Sequence, residues 1–350
     1  MRKVEHLQNM LERSRREFAR KYCLHPEAPS GCSNRIVSAH SVQRAMLERY
    51  IAEDGHVIQI KITAHVDPIG LLAKPDKVGL NKATTFSGFC SKHDMELFRP
   101  LESSTFDFEP KQIALLGYRS VCREFYGKDA EIAVAEALRN YASVNPDIPG
   151  FAEKDHRHQI LRIARINART NLANAKDEYA SMLSDQKLLR YYAIRFAEAP
   201  VYLNSVTFLP EWDFEGGRLQ NVSFISEYKS ICFSAWVAGD HAAAVFCWHK
   251  SADDVCAPFV DCLRRCKKDR LANRLLSMAF EVSDNVVFRR DWWESISEAD
   301  RQRVVARTFN GVGDMDRKPD CLADDGLQAL ASAVKREYIH YGGVEEVVDL

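Results

Sequence analysis

Nowhere do the 350 residues carry an uncharged apolar run long enough to cross a bilayer, and the opening stretch MRKVEHLQNMLERSRREFARKY scatters charges where a signal peptide needs an apolar segment. Membrane insertion and secretion are therefore not expected, and the chain reads as a cytoplasmic globular protein. It has no GxxxxGK(S/T) element, so ATP-driven motor work would lack its phosphate cradle. It has no convincing internal repeat and no low-complexity tract, which argues against solenoids and disordered tails. Net charge is −1, so no whole-molecule field draws the chain to nucleic acid.

What is present is a composition that can bury a full core: 46% hydrophobic and 28% charged residues, with length for two or three domains. Ten cysteines in a chain this long, irregularly spaced, do not suggest a disulfide scaffold. In a reducing compartment they divide into candidate metal ligands near the front and buried thiols behind. The first hundred residues hold 16 Lys/Arg against 11 Asp/Glu, a mild basic bias compatible with phosphate binding.

Along the chain, Val4, Leu7, Leu11 and Phe18 recur at helical spacing, so residues 1–21 read as a basic helix. Residues 22–109 are short pieces punctuated by proline and glycine, with strand-like runs at Arg35 to Ala39 and His56 to Thr63. So little core needs a metal to hold it. Residues 110–350 form the larger part: helices over 110–198, split into Gln112 to Tyr126, Ala130 to Tyr141 and a stretch from Asp155. In that last stretch Ile160, Ile163, Ile166 and Leu172 should make one buried face. An antiparallel sheet of about four strands follows over 199–250 (VYLNSVTF, NVSFISEY, ICFSAWVA, AAAVFCWH), then helices over 251–310 and a weakly patterned tail over 311–350. The fold class expected is α+β.

The informative side chains are Cys23, His25 and Cys32, then His40, then Cys90, His93 and Asp94. Zinc favours four sulfur or nitrogen ligands in a tetrahedron, commonly delivered as two close pairs. Cys90 and His93 have the two-residue gap that lets a turn entering a helix present both to one ion. Cys23 and Cys32 are separated by eight residues, with Pro26, Pro29 and Gly31 to fold the chain back, and His25 is a further possible ligand.

The runs SNRIVSAHSVQR and GLNKATTFSGFCSKHDMELF resemble a divergent HNH, or ββα-metal, domain with a zinc-stabilised treble clef, of the kind found in bacterial nucleases and phage-defence proteins. The resemblance covers about 80 residues. It implies that Cys90 and His93 are zinc ligands, that His40 is the strand-end histidine acting as general base, that Asp94 is a ligand for catalytic Mg²⁺ or Mn²⁺, and that Asn81 is the loop asparagine. The chain departs from the family pattern at His93 for the second cysteine, at Asp94 for the final histidine, and in the long interval after His40.

A neutral imidazole can take a proton near pH 7, and a carboxylate can hold a hard cation beside a phosphodiester. The alternative role for His40 is to complete a closed zinc site, or to sit satisfied in the core. Cys256, Cys262 and Cys266, near His249, read as a buried helical face rather than a second metal site, and the five tryptophans read as core. The expectation is an HNH-like endonuclease acting on DNA or RNA, with a C-terminal region that senses, positions or oligomerises. The competing expectation is a non-catalytic zinc module that grips nucleic acid or a protein partner.

Overall fold

The computed structural model describes residues 2–66, 69–102, 105–145, 156–223, 226–313, 317–327, 330 and 332–350. Its strands are β1 (Ile36–His40), β2 (His56–Val66), β3 (Ile69–Gly79), β4 (Thr85–Cys90), β5 (Leu189–Phe196), β6 (Tyr202–Phe208), β7 (Ile231–Ala238), β8 (His241–His249), β9 (Val287–Phe288), β10 (Val334–Tyr341) and β11 (Val344–Asp349). Its helices are α1 (Arg2–Phe18), α2 (Arg44–Met46), α3 (Ser91–Glu102), α4 (Pro110–Ser143), α5 (His156–Ser184), α6 (Asp253–Arg265), α7 (Lys268–Val282), α8 (Arg290–Ser295) and α9 (Glu298–Gly313). The mixture of helices with antiparallel sheets is α+β. No helix among the described residues is long and apolar enough to cross a membrane.

Two sheets form. β1 and β4 make a short antiparallel pair, and nine strands make the other sheet in the order β11-β10-β5-β8-β7-β6-β9-β2-β3. Every residue of β7 is buried because both faces of the sheet are covered. That is why ICFSAWVA reads as a continuous apolar run instead of alternating. Phe233 and Phe246 face one core with α6 and α7. Trp236 and Cys247 face the other, with Leu116 and Val121 of α4 and Tyr179 of α5. The amino-terminal half of α4 is buried on nearly every side, wedged between the sheet and α3, so it lacks the polar face of a surface helix.

At the closest point of this wedge, α4 places Gly117 against β8. A Cβ there would stand 2.8 Å from Cys247 Sγ and 2.8 Å from the Tyr179 ring. Gly117→Ala should therefore overpack the interface and cost about 1–3 kcal/mol, read as a lower urea midpoint with unchanged slope. A midpoint equal to wild type would show that α4 can lift off the sheet freely.

Several expectations are corrected. The sheet has nine strands, not about four. LRYYAIRF, within the stretch expected to be helical, is β5, paired on both sides. NVSFISEY forms no strand among its described residues. There the backbone is held by side chains, with Tyr228 N–H donating to Asn171 Oδ1 at 2.9 Å and Lys229 N–H to Gln220 Oε1 at 2.9 Å. Residues 110–143 are one helix that passes through Gly127. Pro146 and Pro149, expected to mark the next break, lie outside the described residues. Ile163 and Ile166 are exposed, and α5 is held to α4 partly by the Arg165–Glu131 and Arg169–Asp129 ion pairs. The tail closes as the β10–β11 hairpin. Cys256 and Cys262 are buried, as the helical-face reading required.

The front segment is not walled off at residues 109–110. Its β2–β3 hairpin joins the large sheet through Gln59↔Val287 and Ile58↔Phe288, and Gln59 Nε2–H donates to Asp284 O at 2.8 Å. Arg123 of α4 adds an ion pair to Asp284 at 2.7 Å. The free edge, β3, exposes Lys74, Pro75 and Lys77, which blunt it against further pairing.

Candidate metal centre

The metal-binding group is assembled by chain reversals around the β1–β4 pair. The chain before β1 runs beside β4, with Leu24 N–H donating to Gly88 O at 2.8 Å, and this sets Cys23 next to Cys90. The loop from His25 to Cys32 then folds back. Gly31 sits at φ +68°, a conformation glycine adopts without strain, and its Cα side lies in van der Waals reach of His93, with room for a Cβ at 3.5 Å from Nε2. β4 ends at Cys90 and α3 begins at once, so Cys90 and His93 lie on one turn at the helix start.

The ligand atoms of Cys23, Cys32, Cys90 and His93 all lie within 4.8 Å of one another. His93 Nδ1 is 3.5 Å from both Cys23 Sγ and Cys32 Sγ. Two ligands at roughly 2.3 and 2.1 Å from one tetrahedral zinc ion are separated by about 3.6 Å, so these spacings match the edge of such a site. The group can hold a metal ion such as zinc. His25 is outside this four-ligand set. Its ring stacks on His93 with centroids 3.9 Å apart, and with Glu27 and His93 it forms a second possible ligand group.

Backbone amides prepare the sulfurs for charge. Ser33 N–H and His93 N–H donate to Cys90 Sγ at 3.4 and 3.5 Å, and Cys90 N–H donates to Cys23 Sγ at 3.4 Å. Burial acts to raise the Cys90 thiol, but the amides of His93 and Ser33 outweigh it and bring the group down to about 7. Burial, with Cys23 and Cys90 nearby, pushes the Cys32 thiol up to about 11. Metal displaces the proton of any protonated thiol it binds, so affinity should rise with pH. The three thiols titrate as one coupled set, so the affinity should climb steadily with pH until all are deprotonated. Competition with a chromophoric chelator at several pH values measures the slope, and a flat profile would exclude thiols as ligands.

His40 is outside the metal group. It ends β1, half-buried, with Nε2 3.0 Å from Leu80 O. A carbonyl only accepts, so Nε2 carries the hydrogen and Nδ1 keeps its lone pair. Burial holds the imidazole below its ordinary value, partly opposed by the Leu80 bond, and Arg119 and Arg44 push the same way as burial. Asn81 follows Leu80, exposed in the turn between β3 and β4.

Asp94 lies in the first turn of α3, half-buried, and its Oδ1 is buried without a hydrogen-bond partner among the described residues. Burial raises its carboxyl, against the pull of Arg119. Asp94, Phe98 and Glu102 form one stripe of α3 at four-residue spacing, and Arg119 of α4 lies along it. The guanidinium sits 3.9 Å from the Phe98 ring centroid, and Nη2 binds Glu102 Oε1 at 2.7 Å. Arg119 is 1% exposed, and its Nε and Nη1 have no hydrogen-bond partner among the described residues. Sequence reading missed Arg119, because a lone arginine in an apolar helix gives no motif.

No family model, curated protein or solved structure matches the chain.

Proposed function

We propose that the chain is a zinc-stabilised, HNH-like endonuclease in which the front segment forms a treble clef and His40 is the general base for phosphodiester cleavage. The observation that carries this reading is that the ligand set is complete without His40. Three thiols and one imidazole suffice for a tetrahedral site, leaving His40 outside it with Nε2–H on Leu80 O and Nδ1 as an acceptor. Zinc bound by the four ligands would be structural, since a closed tetrahedral set leaves no open position for water.

A second, hard cation fits less well. Asp94 offers one carboxylate, Glu102 is engaged by Arg119, and the buried guanidinium places positive charge on the same stripe. In this reading His40 takes the proton of the attacking nucleophile.

The same buried carboxyl and internal cation favour a second reading, in which these groups only brace α3 against α4 and the zinc module grips nucleic acid without cutting it. Incubation of the zinc-loaded protein with plasmid DNA and with RNA, with and without added Mg²⁺, distinguishes the two. Cleavage that is lost on His40→Ala with zinc content unchanged supports the nuclease. Binding without cleavage supports the grip.

A further inference from the structure

Where β5 and β11 end and β8 and β10 begin, the sheet opens into a cleft of about 410 Å³ whose charged lining is Arg195, His241, Lys335, Arg336 and Asp349. All five reach solvent: Lys335 and Asp349 are exposed, and Arg195, His241 and Arg336 are partly exposed. Arg195 and Arg336 are directly opposite each other across β5 and β10. Such partners carry their Cβ atoms about 5 Å apart, and like charges there destabilise the pair. Arg336 has an acid on its other side, being in register and in an ion pair with Asp349 of β11. Arg195 has only Ala243 on its other side.

A third cation joins them through a break in the ladder. Val334 pairs with Phe196 and Arg336 with Arg195, so two steps of β10 match one step of β5 and Lys335 is the extra residue of a β-bulge. Regular alternation would send neighbouring side chains to opposite faces, whereas here Lys335 and Arg336 line the same cleft. Among the described residues neither Arg195 nor Lys335 has an ion pair or a side-chain hydrogen bond. The carboxylate of Glu198, in the turn after β5, is already engaged, since its Oε2 accepts from Ala333 N–H at 3.1 Å and from the Ser332 hydroxyl. His241 is fixed by Nδ1–H donating to Ala197 O at 2.6 Å.

We propose that this cleft binds a dianionic phosphate group, held between Arg195 and Arg336 with Lys335 as the third cation. The side chains lining it carry three cations and one carboxylate, an excess of two positive charges. A phosphate monoester carries about 1.5 to 2 negative charges at pH 7, and free phosphate is similar, whereas each diester of a nucleic-acid backbone carries one. Charge therefore selects the terminal or free group over the internal diester. The planar fork of a guanidinium matches two oxygens of one phosphate, and two arginines facing each other can share its oxygens. Bound phosphate also removes the repulsion between the opposed arginines. The inference does not depend on the endonuclease reading.

The test is titration calorimetry of the zinc-loaded full chain with three probes: inorganic phosphate, a nucleoside 5′-monophosphate, and a dinucleoside monophosphate, whose one phosphate is an internal diester. The two dianions should bind at least about tenfold more tightly than the diester, the worth of one charge-assisted hydrogen bond. A nucleotide tighter than inorganic phosphate would support the site with an ester as its source, and equal affinity would support it with the free ion. Arg195→Gln should weaken dianion binding by about tenfold, and Asp349→Asn, which removes the carboxylate that competes for Arg336, should strengthen it. In phosphate-free buffer Arg195→Gln should unfold at a urea midpoint no lower than wild type, because it relieves a like-charge pair. The diester bound as tightly as the dianions would overturn the proposal. So would an affinity that neither Arg195→Gln nor Asp349→Asn changes, or no binding of any probe at millimolar concentration.

Discussion

Cys90→Ser should empty the metal centre and unfold the front of the molecule. Cys90 is fully buried, receives two backbone N–H bonds and lies at the junction of β4 and α3, so its loss breaks the site at the point where strand becomes helix. Structural zinc sites are worth about 10–16 kcal/mol of apparent binding free energy at neutral pH, comparable with the whole net stability of a typical domain. The damage should not stop at residue 109. Leu24, Phe89, Phe98 and Leu101 share one core with Leu116, Val121, Tyr179 and Val245, and Tyr118 Oη–H donates to Leu24 O at 2.6 Å inside the metal loop. Amide hydrogen exchange should therefore show lost protection in β1, β4, α3 and the first half of α4, while α6 and α7, packed on the opposite face of the sheet, keep theirs. A variant without zinc that retains full protection over residues 22–109 would show that the metal contributes nothing to the fold.

His40→Ala should lower phosphodiester cleavage by at least about a hundredfold, the usual worth of a positioned general base, with zinc content and unfolding midpoint close to wild type. Folding should tolerate the change because His40 is half-buried and, among the described residues, its side chain bonds only to the Leu80 carbonyl. The pH profile adds a sign. Burial depresses the imidazole, so the neutral form that accepts a proton persists below the ordinary histidine value, and the rate should fall on the acid side only below that value. Loss of zinc from His40→Ala would instead place His40 in the metal site and end its assignment as base.

The metal group was legible because ligand chemistry is local. Cysteine and histidine at Cys23, Cys32, Cys90 and His93 declare themselves by type, and the Cys90–His93 spacing already implies a helix start. The sheet was not, because its membership is settled by distant pairing. HVIQIKIT showed itself as a strand, but nothing near it announced a partner at Val287 and Phe288, a strand of two residues. LRYYAIRF follows 29 residues of helix and carries tyrosine, arginine and leucine in a pattern that suits either state until β8 and β10 flank it. Arg119 was invisible for a related reason, since its significance is its position along the Asp94–Phe98–Glu102 stripe of another helix.

The joining of β2 to β9 also sets an order of events during synthesis. Gln59 and Asp284 are 225 positions apart, so a ribosome adding about 5–20 residues per second needs on the order of tens of seconds between making the hairpin and making the strand that receives it. Through that interval the metal loop, β1, β4 and α3 can already close around an ion, because their residues all precede 103. The hairpin inserted between β1 and β4 would wait in solvent with one edge guarded by Pro75 and its lysines and the other bare. The nascent chain should therefore expose a sticky strand on a finished knot, and early arrival of metal would shorten the list of wrong partners that strand can meet.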